Sequence, residues 1–410
     1  MGQGQYRVLD TEGILAYCDR MRSSTSMGRF SATLACLSLA VGEISVAGWP
    51  TYHGGFALTG MATDTFADKP VRLWRTRLGK GPCSSVVGGD GRLFCISDQR
   101  EVNALDYKGR KLWTRRFRGD MSADPARSEK SFEAPPLYAS TSLLVVAAID
   151  GTVYGLSPAD GKTRWTYTAD SRIQGGPNFV PDAGSGPDRV LIMTQSSGIL
   201  HALSAVDGGK LWVSDPMERT DGHIAVWEGQ AVFGNCASTF FAIDVRTGKQ
   251  VAAIEVEEGA EMAGGLAVSQ GHVFGGNRSG SLVSADLRAG KVRWVMSMSE
   301  VEGFATPAVS RSLIVFSGGD AVVYCLKRES GDVIWKYDTA GKQALSPVIA
   351  ADHVLAAVDG TLFGLNLKDG HLVWKLHVSD EITAPSIVGG VIVVGMDDGH
   401  VAAYGRRDKE

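Results

Sequence analysis

The sequence predicts an all-β protein, an eight-bladed β-propeller of four-stranded blades whose ring is closed by an N-terminal strand pairing with the C-terminal blade. Three observations predict it. A phrase in which tryptophan follows glycine by four places recurs as GRKLWTR at Gly109, GKTRWTY at Gly161, GGKLWVS at Gly208, GKVRWVM at Gly290, GDVIWKY at Gly331 and GHLVWKL at Gly370, with Ala252 in the tryptophan place after Gly248. Before each glycine runs a stretch such as TVYGLS, SLVSAD or TLFGLN that alternates large apolar with polar or small residues. That is the period-2 pattern of a half-buried strand entering a hairpin turn. The tryptophan position returns at intervals of 39, 52, 47, 40, 42, 41 and 39 residues from Trp74 to Trp374, and a four-stranded unit repeating at about 40 residues is the mark of a propeller blade.

Taken in chain order, residues 1–20 match neither a signal nor a domain and read as an upstream extension, with Met21 or Met27 the initiator. Residues 21–47 read as a signal peptide: Arg22 and Arg29, an apolar stretch from Phe30 to Val41, and Ser45-Val46-Ala47 at the cleavage positions. The apolar stretch is far shorter than the ~20 residues that a spanning helix needs. Leu34-Ala35-Cys36 sketches a lipobox with Thr33 where leucine is preferred, so a lipid anchor at Cys36 is the alternative to a free mature form. Residues 48–70 form a leader segment, 71–405 the propeller and 406–410 a tail. The propeller begins with VRLWRTRLG (71–79), a tryptophan strand that lacks the three strands before it, and ends with ITAPSIVGGVIVVGMDDGHVAAYG (382–405), three strands that lack their tryptophan strand. The halves complement each other. Pairing the Trp74 strand with HVAAYG (400–405) completes the eighth blade and leaves only short, protected edges.

Trp74, Trp113, Trp165, Trp212, Trp294, Trp335 and Trp374 are expected to dock neighbouring blades, since a broad flat side chain fills the wedge that opens away from the axis. The unit bearing Ala252 is then the loosest join. The composition agrees with many tight turns around a buried interior: 51 glycines in 410 residues, 44% hydrophobic and 21% charged. A net charge of −4 gives no electrostatic reason to expect nucleic acid or an anionic membrane as partner. Six cysteines contain no CxxC or CxxCH, and Cys83 and Cys95 flank the turn GGDG (88–91), where either a disulfide or two buried thiols fits.

The units YGLSPADGKTRW, FFAIDVRTGK and HALSAVDGGKLW, with the leader phrase WPTYHGGFALTG (49–60), resemble the repeat of the pyrroloquinoline-quinone-binding-like β-propellers over residues 48–405. That family has an enzymatic branch of quinoprotein alcohol dehydrogenases and a non-enzymatic, BamB-like branch of outer-membrane assembly lipoproteins. In the enzymatic branch the quinone stacks on an adjacent Cys-Cys pair beside a Ca²⁺ ion and a catalytic Asp; no two cysteines are adjacent here. The resemblance therefore implies an exported, non-catalytic scaffold of the periplasm or cell envelope, a monomeric ring that binds a protein partner and has no cofactor. The alternatives are a dehydrogenase using pyrroloquinoline quinone with calcium at an atypical site, or a rim that binds envelope polysaccharide.

Candidate site residues follow from where the repeat is interrupted. The insertion TRRFRGDMSADPARSEKSFEAPP (114–136) carries Arg115, Arg116, Arg118, Asp120, Asp124, Arg127 and Glu129, a charged, arginine-rich loop suited to a protein partner. It joins an outer strand to the next inner strand, whereas VPDAGSGPD (180–188) joins an inner strand to its neighbour, so the two insertions are expected on opposite rims. Asp221 and His223, in TDGH where sibling units have Ala-Thr-Pro or Leu-Ser-Pro, are expected to face the channel as a polar pair. The Asp-Gly pairs, such as Asp160-Gly161 and Asp369-Gly370, sit at hairpin positions that favour them for backbone reasons alone. No phosphate-binding glycine loop occurs.

Overall fold

The computed structural model describes residues 48–407 apart from 63–68, 99, 118–131, 183–185, 257–260, 263, 299–304 and 343. The upstream extension, the signal peptide and Cys36 lie outside the described residues.

Among the described residues there is no helix, and the strands form eight sheets, each with a four-stranded antiparallel meander at its heart. The Trp113 blade runs from Val87–Gly89 through Arg92–Ser97 and Glu101–Asp106 to Lys111–Arg116. The same sequence of inner, second, third and outer strand ends in turn at Thr163–Thr168, Lys210–Val213, Gln250–Glu255, Lys291–Ser297, Val333–Asp338 and Leu372–His377. The eighth sheet takes Ser386–Val388, Val391–Gly395 and His400–Gly405 from the C-terminus and Val71–Arg77 from the N-terminal side. Val71 lies opposite Gly405 and Arg77 opposite His400, so the ring closes as the complementary halves predict.

The burial pattern explains why these residues make blades. Second strands such as Leu143–Ala147 and Arg189–Met193 are buried along their whole length, because both faces pack on neighbouring blades. Outer strands such as Thr163–Thr168 and Val333–Asp338 are buried mainly at the tryptophan. Apolar clusters occupy the joins between blades: Phe94, Phe117, Phe132, Tyr138 and Tyr154, for example, lie between the Trp113 and Trp165 blades. Opposite each tryptophan on the third strand stands a small residue, as in Ala104 with Trp113, Gly155 with Trp165 and Gly364 with Trp374, and the pairing register shifts at that point. A Cβ on Gly155 would come within 2.2 Å of the Trp165 ring, so the indole lies flat on the strand only because glycine is there.

Six of the blade tryptophans reach across the join. Trp74 donates to the Tyr107 carbonyl, Trp113 to Pro158, Trp165 to Ala205, Trp212 to Val245, Trp294 to Arg328 and Trp335 to Leu367, all at 2.9–3.2 Å. Each of these six rings also covers the turn glycine of the next blade, as Trp113 covers Gly161 and Trp335 covers Gly370.

The leader does more than precede the ring. Gly48 and Trp49 pair with Gly89 and Gly88 on the inner edge of the Trp113 blade, and Met61 and Ala62 run parallel to Ile349 and Ala350 on the inner edge of the Trp374 blade. Between them the chain passes round the inside of the ring and accepts backbone hydrogen bonds from Tyr138, Val226, Val268 and Val309, one from each of four intervening blades. Trp49, Thr51, His53 and Leu58 are almost wholly buried there.

Candidate functional site

The connections that carry each outer strand to the next inner strand converge at one end of the axis around a cavity of about 800 Å³. Its wall includes Ser84, Glu133, Gln174, Asp221, His223, Lys342, Ser346 and Thr383, each from such a connection, and Tyr52 of the leader forms its floor. Tyr52 is stacked on His223 with ring centroids 3.9 Å apart and planes tilted by 15°. The Tyr52 hydroxyl is 2.7 Å from Ser346 Oγ and accepts from Thr306 Oγ1 at 3.2 Å, while Thr306 N donates to the same Ser346 Oγ at 2.8 Å. Burial raises the Tyr52 pKa, so the phenol stays protonated and acts as a fixed strut across the axis.

His223 Nδ1 accepts the Gly176 amide at 2.9 Å, which leaves the ring proton on Nε2. Burial lowers its pKa to about 4, and the neighbouring His53 pushes in the same direction. His53 lies one layer deeper. Its Nδ1 and Nε2 are each 2.8 Å from a carbonyl oxygen, of Leu58 and Pro347 respectively. Burial lowers its pKa as well, against the pull of those two carbonyls.

Asp221 lines the same cavity but takes other partners. It accepts from Gln195 Nε2 at 2.6 Å and Arg219 Nε at 3.0 Å, with Arg278 3.9 Å away and the Cys236 thiol at 3.6 Å. Burial works to raise its pKa, and the hydrogen bonds from Arg219 and Gln195 outweigh it and hold the carboxyl below its ordinary value. The expected polar pair is therefore two separate features of one cavity: a carboxylate neutralised by arginine, and a neutral imidazole stacked on Tyr52.

The arginine loop divides differently. Arg118, Asp120, Asp124, Arg127 and Glu129 lie outside the described residues. Arg115 donates to the Gly161 carbonyl at 2.7 Å and lies 4.6 Å over the Phe117 ring, and Arg116 lies 3.5 Å from Glu101. Arg115 is thus engaged in the blade join, while Glu133, Ala134 and Pro135 at the far end of the insertion reach the cavity wall. The other insertion joins Asn178–Val180 to Arg189–Met193, at the opposite end of the strands. Cys83 and Cys95 are free, buried thiols: the hairpin sets Cys83 opposite Ser97 rather than Cys95, and burial pushes the Cys83 thiol up to about 12 and Cys95 well above its ordinary value. Tyr52, His53 and Leu58 are absent from the sequence-based candidates. The signal available for them was the aromatic, glycine-rich phrase at 49–60, which matches no other unit.

The ring and its axial cavity define an eight-bladed β-propeller. The chain belongs to the family described as outer membrane protein assembly factor BamB, which matches residues 67–295, 236–381 and 278–409. It is 23% identical over 400 residues to the BamB of Xanthomonas campestris pv. campestris, covering 89% of this chain and 96% of that one. Among solved structures, BamB from Moraxella catarrhalis superposes with a TM-score of 0.68 at 17% identity, covering 83% of this chain and 99% of that one. A europium-containing methanol dehydrogenase superposes with a TM-score of 0.74 at 13% identity, covering 89% and 99%. At such identities these structures establish the fold alone. The adjacent Cys-Cys pair on which the quinone of the enzymatic branch stacks has no counterpart in the cavity wall. Cys83 is the single cysteine of its wall, and among the described residues no group of three His, Cys, Asp or Glu stands where it would hold a metal ion.

Proposed function

We propose that this protein is a non-catalytic scaffold of outer membrane protein assembly, exported to the cell envelope, which holds a protein partner on the rim around the axial cavity. The observation that carries this reading is the BamB family match over nearly the whole ring, on a chain whose cavity wall lacks the parts of a redox centre. The rim is suited to a partner because the irregular connections gather there on a rigid scaffold. It joins arginine-containing networks, Arg172 with Glu133 and Arg219 and Arg278 with Asp221, to apolar wall residues such as Ala134, Pro135 and Leu345.

Depleting the protein from its host is expected to lower the amount of folded β-barrel protein in the outer membrane. Re-expression of a form lacking residues 119–131 is expected to restore the ring but not full capture of the partner in a crosslinking pull-down. Unchanged outer membrane protein levels on depletion would overturn the assembly role, and unchanged capture by the deletion would remove the insertion from it. Dye reduction with alcohols after adding pyrroloquinoline quinone and Ca²⁺ to the purified protein would replace the scaffold reading with a dehydrogenase.

A further inference from the structure

The inner edges of propeller blades are strand edges, and a strand edge presents unpaired backbone donors to whatever lies beside it. In this ring the donors are occupied in an ordered way. Val226, Val268, Val309 and Ile349 hold the same place in their blades, each paired with the residue five positions on. Their amides donate to Phe56, Ala57, Thr59 and Gly60 of the leader at 2.8–2.9 Å. Four successive repeats thus present one repeated donor each, and one non-repeating segment answers them.

The answering segment is also shaped before it meets the ring. Thr51 and Gly54 exchange backbone hydrogen bonds, Leu58 N donates to Gly55, and Gly60 N donates to His53. His53 and Leu58 hold left-handed backbone with φ of 58° and 56°, a conformation that persists in non-glycine residues only where the surroundings dictate it. Leu58 is 1% exposed among Ala225, Trp227, Val232 and Leu266. His53 sets one ring nitrogen 2.8 Å from the segment's own Leu58 carbonyl and the other 2.8 Å from the ring's Pro347 carbonyl, and donates its single N–H to one of them. Thr51 donates to the Pro177 carbonyl, and Asn178 donates to Phe56. Backbone pairing along an edge, with one apolar anchor and a few directional polar contacts, is how domains recognise a separate extended peptide.

We propose that residues 48–62 are an internal peptide ligand, and that the axis of the ring is a peptide-recognition site which they fill. The ring holds them by this site and not by their covalent link to the Trp74 strand. With the segment in place the channel is stoppered: both of its ends lie toward the turns that follow the inner strands, and its Tyr52 tip closes the floor of the cavity at the other end.

Cutting the link tests this in the full-length protein. A protease site is placed within residues 63–68, the native protein is cut, and size-exclusion chromatography with mass spectrometry asks whether the N-terminal fragment stays with the ring. Retention is expected, with release accelerated at least about tenfold in the cut His53→Ala and Leu58→Ala proteins, the equivalent of losing one good contact. Circular dichroism of the uncut variants reports whether their rings have folded, and a variant that does not fold is left out. The cut wild-type protein decides the matter by itself if both drop out. Prompt loss of the fragment from the cut wild-type ring overturns the proposal, as does retention that neither folded variant changes.

Discussion

The join between the Trp113 and Trp165 blades and the join between the Ala252 and Trp294 blades differ at their outer edge by one side chain. At the first, Trp113 donates to Pro158 at 3.0 Å and covers Gly161, with Arg115 bonded to the same glycine's carbonyl. At the second, Gly290 keeps the same left-handed turn, φ 64°, yet no atom lies within 4 Å of where its Cβ would be. What holds the second join lies further in: Leu58 of the leader, Trp227, Phe240, Ile254 and Val273 pack together, and Arg288 sits 5.5 Å over the Trp227 ring while pairing with Glu228 at 3.2 Å. A blade join is therefore two fastenings, an aromatic one near the rim and an apolar one near the axis, and the ring tolerates losing the first where the second is intact.

Breaking an outer fastening should have the largest effect. Trp165 is 6% exposed, and Trp165→Ala is expected to cost about 3–5 kcal/mol in chemical denaturation; a loss below ~1 kcal/mol would mean that the aromatic fastening is ornamental at every join. Acid should act near the axis on the other side of the Ala252 blade, where His223 leads into its inner strand and takes the Gly176 amide from the connection into the Trp212 blade. A folded pKa of about 4 against an unfolded value of 6.5 means that the neutral ring favours the folded state. That stability is complete above pH 6.5 and is lost as pH falls toward and below 4, by up to roughly 3 kcal/mol. Protonation also removes the acceptor that takes the Gly176 amide and puts charge against Tyr52 and His53, in a cavity whose wall charges are Glu133, Asp221 and Lys342. His223→Gln should flatten the stability profile between pH 6.5 and 4, and an unaltered slope would place the titration elsewhere.

Restoring the missing outer fastening is a smaller change. Ala252→Trp places an indole where Gly290 has room, and a gain of about 1 kcal/mol is expected; destabilisation would show that the Ala252 join has closed around its alanine. The smallest effect is the wild-type contrast: by hydrogen exchange, amides of Gln250–Glu255 should open before those of Lys111–Arg116. Uniform protection of the two strands would erase the distinction between the joins.

The ring was legible because each blade states itself in local terms, an alternating strand, a turn glycine and a tryptophan, and because Ala252 kept the spacing after losing the aromatic. Closure was legible from two incomplete units. The leader's course was not, because its main partners are the backbone amides of Val226, Val268, Val309 and Ile349, and an amide carries no side-chain signature. Asp221 and His223 both line the cavity, but residues remote in sequence, Gln195 and Arg278 of the two adjoining blades and Tyr52 of the leader, decide what each of them does. Arg115 read as a partner-binding cation because its tie to Gly161 spans 46 positions.

Closure also sets a schedule. Arg75 pairs with Asp398 across 323 positions of chain, so the first propeller strand to be made waits for the last. Until then both rims of the gap are bare strand edges, and pairing over so long a loop is slow. A chain delivered one end first would therefore cross its compartment with an unfinished circle, and that interval, rather than the finished ring, is where it would most need an escort.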